Sequence, residues 1–330
     1  MVERESRRRA LIPFSQPVGR HERRAPGFPF HPSLFGERSP FPASGKGKIP
    51  PAMPLALILS SYVAASRIGG GAQQYALAAH GIDPVLVPTI LLGRNPARGA
   101  AGQVVDDAHF AALLGDVEAD GLFGLADLVI AGHFSSAGQV ALAARTIARI
   151  RDARRTGAFN PKPVILVDPI LGDAPKGLYV RPEVAEAMPD LVALADVITP
   201  NRWELSHLSP GPVAGAADRL GRPALVTSAV MDGERIGAAL VTTEGATLYS
   251  HEKLAAVPHG TGDLVAASLG AGLVQGLELA AAAERAVRAA AHTVRAAVAW
   301  DSPELPLVAL GPALCDPQAD LTIELNWSDA

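Results

Sequence analysis

The sequence predicts an α/β fold with three layers, in which helices cover both faces of a mostly parallel sheet that carries an antiparallel edge hairpin. Short, continuously apolar segments have the length and hydrophobicity of strands buried on both faces. Amphipathic segments alternate with them, which is typical of repeated β-α units. Two further strand-like segments flank a turn at Glu244 and Gly245, and they predict the hairpin over residues 236–251.

The predicted elements follow one another in a regular order along the chain. The six segments predicted to form buried strands are 55–60, 84–88, 127–132, 163–168, 196–200 and 224–228. Among the segments between them, residues 138–155 repeat apolar side chains three and four positions apart, as expected of a helix packed on a sheet. After the hairpin, two helices are predicted at about 261–276 and 279–298.

Three regions differ in composition and divide the chain. Residues 1–52 are rich in Pro, Gly, Ser and Arg without a sustained period, which indicates a disordered extension or an over-long start with Met53 as the initiator. A basic nucleic-acid-binding arm and a transit peptide are the alternatives, and scattered acidic residues and prolines disfavour the latter. Residues 53–300 are predicted to form the functional domain, and residues 301–330 a proline-bearing C-terminal tail.

Composition favours small ligands over nucleic acid or membranes as partners. With 330 residues, 48% of them hydrophobic, the chain can bury a sizeable core. Its 29 basic and 33 acidic side chains give a net charge of -4, so no general attraction to polyanions is expected. Cys315 is the only cysteine, which excludes an intrachain disulfide and predicts a cytoplasmic location. No apolar run reaches the roughly 18 residues of a membrane span.

Polar side chains cluster just after the predicted strands. Ligands of open parallel sheets bind at the carboxyl ends of the strands, where such side chains converge. The residues in these positions are Ser61, Thr89, Asp168, Thr199, Asn201, Thr227 and Ser228. The sequence therefore predicts a ligand site along this edge of the sheet.

The stretch "HGTGDLVAA" opens the first of the two late helices. Gly260 and Gly262 allow backbone N–H groups to approach an anion, and the helix start adds unpaired N–H groups and a positive dipole end. Asp263 lies in the first turn, where its carboxylate can take a proton from a hydroxyl nucleophile. The alternative is that Thr261 or Asp263 only caps the helix, which stabilises it by about 1 kcal/mol.

Two further carboxylates and one histidine follow strands. Asp168 ends a buried strand, and Glu204 lies one turn into a helix with Asn201 as its predicted cap. Carboxylates of this kind suit Mg²⁺ held partly through water and nucleotide phosphates. Their alternatives are a strand-end carboxylate that caps a neighbouring helix and a solvated helix residue. His133 is a lone histidine, which is as often structural as functional, and supports no metal site.

These motifs occur in the order "SSYVAASRIGGG", "VPTILLGRNP", "AGHFSSAGQ", "VDPILGDAPKGLYV", "TPNRWEL", "VTSA" and "VPHGTGDLVAA". In this order they resemble the pyridoxal kinases of the ribokinase-like superfamily, over about residues 55–298. The resemblance implies a ribokinase-like fold and ATP-dependent phosphorylation of the 5′-hydroxymethyl group of pyridoxal and related B6 vitamers, as in vitamin B6 salvage. It also implies a homodimer built through the early strands and helices.

The resemblance assigns roles to matching positions. It makes Asp263 the catalytic base, in contact with the substrate, and forms the anion hole for the γ-phosphoryl group from Gly260, Thr261 and Gly262. The side chains implied to organise Mg²⁺ and a monovalent cation, expected to be K⁺, around the ATP phosphates are Asp168 and Glu204, with Asn201 nearby. Those implied to line the nucleotide side are Thr227 and Ser228, and those implied to hold the pyridine ring are Ser61, Val63 and Thr89.

Some positions depart from the family pattern near the vitamer pocket. The family usually has Gly where Ser66 stands and often Asn where Gly70 stands, and "LLGRNPARG" replaces its covering segment at 91–99. In that segment Arg94 is interpreted either as a phosphate contact or as a solvent-exposed side chain. Hydroxymethylpyrimidine kinase and a non-catalytic B6-binding protein are the alternative functions.

Overall fold

The computed structural model describes residues 53–99, 101–255 and 257–329, which form a ten-stranded sheet with helices on both faces. The strands are β1 (Leu55–Val63), β2 (Asp83–Leu92), β3 (Gly102–Val104), β4 (Ala126–Ala131), β5 (Val164–Val167), β6 (Gly172–Asp173), β7 (Gly177–Leu178), β8 (Val197–Ile198), β9 (Ala224–Met231), β10 (Arg235–Thr242), β11 (Gly245–Glu252) and β12 (Thr322–Leu325). The main sheet has the order β12-β11-β10-β9-β8-β5-β4-β1-β2-β3, and β6 and β7 pair separately. The predicted fold class is confirmed.

Helices form the two outer layers. They are α1 (Gly69–Ala79), α2 (Asp107–Ala119), α3 (Ala137–Asp152), α4 (Pro182–Val192), α5 (Arg202–Leu208), α6 (Ala216–Leu220), α7 (Thr261–Val274), α8 (Leu279–Ala299) and α9 (Leu307–Leu310). In the part of the chain that the structure describes, every helix is too short or too polar to span a bilayer. Residues 1–52 lie outside the described residues, and so does the prediction made for them.

The central strands are buried on both faces because a helical layer covers each. In β1, Leu57 and Leu59 pack into a core with α2, α3 and α4, whereas Ile58 faces a second core with α1, α7 and α8. All three side chains are at most 1% exposed. Since side chains of a strand alternate between faces, only a continuously apolar strand can serve two cores.

In the order of the sheet, the strands from β2 to β9 are parallel, whereas the strands added at both edges pair antiparallel. The predicted hairpin forms from β10 and β11, and the C-terminal segment adds β12 beyond it, antiparallel to β11. At the opposite end, β3 pairs antiparallel with β2. β3 and β12 were not predicted, since each has only three or four residues that are mostly exposed and lack an apolar run.

Candidate active site

The site lies where the parallel strands end, and most of the predicted residues meet there. Asp168 directly follows β5, and Asn201 forms a bridge with Thr227 of β9 just beyond β8. The N-terminal turns of α1 and α7 meet at the same edge, because the Gly69 N–H bonds to Asp263. The residues that the strand-end pattern singled out therefore lie along one edge of the sheet.

The start of α7 has the form of an anion cradle. Gly260 precedes the helix with a φ of +104°, and a Cβ there would stand 2.2 Å from the Arg67 carbonyl oxygen. A Cβ at Gly262 would meet no atom within 4 Å. In the part of the chain that the structure describes, no side chain caps this helix, so the first-turn N–H groups remain available to an anion.

Asp263 is held by another helix rather than capping its own. Its Oδ2 accepts a hydrogen bond of 2.8 Å from the N–H of Gly69, the first residue of α1, while its buried Oδ1 has no hydrogen-bond partner among the described residues. Burial raises the pKa of Asp263 to about 6, although the Gly69 N–H acts to lower it. An unpaired oxygen on a carboxyl group with this pKa is what a general base near neutral pH requires.

Asp168 is a second buried carboxyl group at the site. It is 5% exposed, and its Oδ1 accepts a hydrogen bond of 3.1 Å from the Thr199 hydroxyl. Burial raises its pKa well above the usual range, and the charges of Asp263 and Glu204 add to the effect. Asp168 is therefore affected by both of the other carboxyl groups, and the three together are called the carboxylate cluster.

Glu204 is engaged by the backbone around it. Its Oε2 accepts from the Asn201 N–H at 2.8 Å, and the Asn201 side chain accepts from the Glu204 N–H, so the predicted cap is confirmed as a capping box. Its Oε1 accepts from the N–H groups of Leu171 and Gly172. Burial nevertheless raises the pKa of Glu204 to about 7. This geometry favours a structural carboxylate that also contributes charge to the site.

The carboxylate cluster fits a cation that brings ligands of its own. No ion pair of the described residues includes Asp168, Glu204 or Asp263, so the structure shows no side-chain cation that balances their charge. Within the same residues, no group of three or more His, Cys, Asp or Glu side chains can hold a metal alone. Mg²⁺ commonly binds through one or two carboxylates together with water and substrate phosphates.

A pocket of about 260 Å³ opens beside the anion cradle. Thr227 and Ser228 line it together with Thr261 and Gly262, and Val287 and other apolar side chains form much of its wall. A larger cavity of about 640 Å³ lies beyond β10 and β11 and holds none of the predicted site residues. The smaller pocket therefore joins an apolar wall to an anion-binding end, which suits a nucleotide.

The residues predicted to hold the pyridine ring are mostly occupied by contacts within the protein. Thr89 is fully buried, and its hydroxyl donates to the His133 carbonyl oxygen at 2.7 Å. Val63 is 2% exposed, whereas Ser61 is half-buried, and its Oγ lies where a Cβ on Gly69 would stand. The structure thus brings Ser61 to the turn at residues 66–69 that leads into α1, called the glycine turn below. It places Thr89 and Val63 beneath the surface.

The structure shows the surroundings of three further residues near the site, which the sequence did not reveal. Gly69 orients Asp263, and nothing in the run of three glycines that it begins indicated its φ of +59°. His133 has a buried Nδ1 without a hydrogen-bond partner, and burial lowers its pKa to about 4, so the ring is neutral. The exposed Arg94 donates to the Gly99 carbonyl oxygen within its own segment.

The raised pKa of Asp263 predicts a pH-dependent stability difference. A pKa raised from 3.8 to about 6 favours the folded state below the lower value, and this contribution is lost as the pH rises through the higher one. We therefore expect Asp263→Asn to gain stability relative to the wild type between about pH 4 and 6. Thermal melts of both proteins without ATP or divalent cations would measure it, and a difference that does not change with pH would contradict the prediction.

Comparison with known proteins gives one consistent family. The phosphomethylpyrimidine kinase family matches residues 141–307. A pyridoxine/pyridoxal/pyridoxamine kinase of Bordetella avium is 33% identical over 82% of this chain and 96% of its own length. A pyridoxal kinase of Rubrobacter xylanophilus is 30% identical over 74% of this chain and 92% of its own.

Solved structures share the fold over most of the chain. A pyridoxal kinase of Entamoeba histolytica superimposes with a TM-score of 0.72 at 24% identity, covering 83% of this chain and 99% of its own. A pyridoxal kinase of Leishmania donovani in complex with ADP and pyridoxamine has a TM-score of 0.73 at 24% identity, covering 82% and 99%.

Proposed function

Because the chain belongs to the pyridoxal kinases of the ribokinase-like superfamily, we propose that it transfers the γ-phosphoryl group of ATP to the 5′-hydroxymethyl group of pyridoxal and related B6 vitamers. The product is pyridoxal 5′-phosphate, and the reaction belongs to vitamin B6 salvage. The observation that carries the proposal is the unpaired, buried Oδ1 of Asp263, which lies in the first turn of the uncapped helix α7.

Asp263 accepts the proton of the attacking hydroxyl in this proposal. A primary alcohol is a poor nucleophile at neutral pH, so removal of its proton as the bond to phosphorus forms lowers the barrier. The N–H groups at Gly260, Thr261 and Gly262 receive the charge of the transferring group at the positive end of α7. The first turn of α7 thus both accepts the proton and stabilises the charge of the transferring phosphoryl group.

The nucleotide extends from this turn into the 260 Å³ pocket. Thr227 and Ser228 line the pocket where β9 ends its parallel pairing, and Val287 of α8 belongs to its apolar wall. We assign this side to ATP, and the side near Ser61 to the vitamer, because the two must meet at Asp263. Thr89 and Val63 shape the vitamer side from below the surface.

We further propose that Mg²⁺ and a monovalent cation, expected to be K⁺, bind beside the carboxylate cluster. Asp168 is the proposed ligand, while Glu204 adds charge from its capping box. When bound there, Mg²⁺ would neutralise the phosphate oxygens during transfer. The raised pKa values of Asp168 and Glu204 support this assignment, as does the absence of an ion pair with either of them among residues 53–99, 101–255 and 257–329.

Asp168→Asn is expected to raise the Mg²⁺ concentration needed for half-maximal activity. The variant keeps the shape of the side chain and its contact with Thr199 but removes the charge that attracts the cation. Initial rates measured across a Mg²⁺ titration at saturating ATP would test it. A titration curve that superimposes on the wild type would leave Asp168 with a structural role only.

A homodimer is the proposed assembly, built through the early strands and helix α1. Large hydrophobic side chains exposed in this region support it, namely those of Tyr62, Tyr75, Leu91 and Val104. Light scattering after size-exclusion chromatography would give the mass in solution.

We also propose a cytoplasmic location, which the single cysteine supports.

One assay tests the function directly. The purified protein is incubated with Mg-ATP and pyridoxal, pyridoxine, pyridoxamine or hydroxymethylpyrimidine, and the phosphorylated product is quantified. We expect turnover of B6 vitamers. Turnover of hydroxymethylpyrimidine alone would replace the proposed substrate, and binding of a vitamer without any product would favour a non-catalytic binding protein.

A further inference from the structure

Glu304 of the C-terminal segment reaches back to the turn between β1 and α1. Its Oε2 accepts hydrogen bonds from the Ser66 hydroxyl at 2.6 Å and from the Arg67 N–H at 3.0 Å. Its Oε1 lies 3.3 Å from Nη2 of Arg98, and the Glu304 side chain is only 22% exposed. One carboxylate thus joins the chain's C-terminal segment to the glycine turn and to the segment at 91–99.

The turn bound by Glu304 also contacts the start of α7, at both Gly260 and Asp263. The Arg67 carbonyl oxygen lies against Gly260, so closely that a Cβ on Gly260 would come within 2.2 Å of it. Two residues further along the chain, the Gly69 N–H donates to Asp263. Residues 66–69 are therefore held between Glu304 on one side and the first turn of α7 on the other.

We propose that Glu304 is a positioning residue for phosphoryl transfer, which fixes the turn at 66–69 so that the Gly69 N–H orients the Asp263 carboxylate and the Arg67 carbonyl seats Gly260. This inference rests on the proposed function of Asp263 as the base. Glu304 acts on the turn through Oε2, which accepts from Ser66 and Arg67, while Oε1 lies within ion-pair distance of Arg98 and has no hydrogen-bond partner among the described residues.

Loss of the Glu304 carboxylate has a defined physical consequence. Ser66 is 1% exposed, so its hydroxyl would lose its acceptor in a buried place, and the turn would shift to find another. A shift of the turn weakens the Gly69 bond to Asp263. Because that bond acts to lower the pKa of Asp263, its loss raises the pKa further.

The groups of the carboxylate cluster come from separate elements, and Glu304 contacts only the turn that leads into α1. Asp168 follows β5 and is affected by the charges of Asp263 and of Glu204, which lies in α5. The Gly69 N–H comes from α1. The Arg67 guanidinium lies over the Tyr75 ring at 4.6 Å, so the side chain of the turn is engaged on α1.

The test compares Glu304→Ala, Glu304→Gln and Ser66→Ala with the wild type. Glu324→Ala is the matched control, because Glu324 lies in the same C-terminal segment and pairs with Arg235 away from the site. We expect Glu304→Ala to lower kcat by about 10- to 10²-fold, as small misplacements of reacting groups do. We also expect the acidic limb of its pH–kcat profile to move to higher pH.

The variants separate positioning from folding. Glu304→Gln keeps an oxygen that can accept from the turn, so it should recover much of kcat, and Ser66→Ala should show a smaller loss in the same direction. Glu324→Ala should keep the wild-type profile. Thermal melts give the folded fraction of each variant, and a kcat loss that disappears after this correction, with an unmoved acidic limb, would overturn the inference.

A second measurement needs no turnover. Carbon-13 NMR titration of the Asp263 carboxyl, assigned with Asp263→Asn, should show a higher pKa in Glu304→Ala and Ser66→Ala than in the wild type. An unchanged titration in both would refute the positioning role. A wild-type protein that phosphorylates none of the vitamers would instead defeat the proposed function, and the titration would still decide whether Glu304 positions Asp263.

Discussion

Asp263→Asn is expected to lower kcat by ~10²- to 10⁴-fold, the usual scale for loss of a general base. Asparagine keeps the size of the side chain and can still accept the hydrogen bond from the Gly69 N–H, which reaches Oδ2 at 2.8 Å in the wild type. It cannot take a proton from the vitamer hydroxyl at neutral pH. The loss therefore reports the proton transfer rather than a change in folding.

Single-turnover rates with saturating ATP and pyridoxal would measure this effect. The wild-type rate should itself fall below about pH 6, where Asp263 becomes protonated, and the residual rate of the variant should lack this limb. Glu244→Gln is a suitable control, since Glu244 lies in the exposed turn between β10 and β11. A variant that retains near-normal turnover would remove Asp263 from the role of base.

Gly260→Ala is expected to damage both folding and catalysis. A φ of +104° is unfavourable for alanine, and its Cβ would come within 2.2 Å of the Arg67 carbonyl oxygen, which belongs to the backbone. Strain of this kind costs about 1–3 kcal/mol of the free energy of unfolding. Relief of the clash displaces the first turn of α7 from the glycine turn, so we expect kcat/KM for ATP to fall by about 10²-fold.

Gly262→Ala is the matched variant, because its Cβ enters open space. Its backbone φ is not in the left-handed range, so the melting temperature should stay the same or rise slightly. The methyl group would nevertheless stand in the proposed path of the γ-phosphate, so kcat/KM for ATP should still fall. Normal ATP kinetics in Gly262→Ala would show that the phosphate lies elsewhere, whereas the stability loss in Gly260→Ala does not depend on any ligand.

The sequence carried enough local information to predict a candidate site, but too little to predict the contacts that hold its residues in place. The strand ends and the start of α7 were predictable, because apolar runs, glycines and a following carboxylate are signals within a few residues. The capping box between Asn201 and Glu204 was half predicted for the same reason. Gly69 and Asp263 are 194 positions apart, and Ser66 and Glu304 are 238 apart. No periodicity encodes such contacts, since they arise from the topology of the whole sheet.

The structure of the C-terminal segment was the least predictable from the sequence. Its prolines suggested a tail, yet β12 extends the sheet and the Trp327 N–H bonds to the Ala246 carbonyl oxygen. Asp329 accepts hydrogen bonds from the N–H groups of Val213 and Ala214. A strand that follows a long irregular segment gives almost no local signal, because pairing with β11 supplies its order.

The glycine turn binds a carboxylate that is synthesised much later than the turn itself. Chains emerge from the ribosome N-terminus first, so β1, α1 and the glycine turn exist well before Glu304 is made. The turn meets its carboxylate partner only after residue 304 has been added to the chain. A nascent chain that already contains α7 and its Asp263 would still lack this support, and so would a product of premature termination after α8.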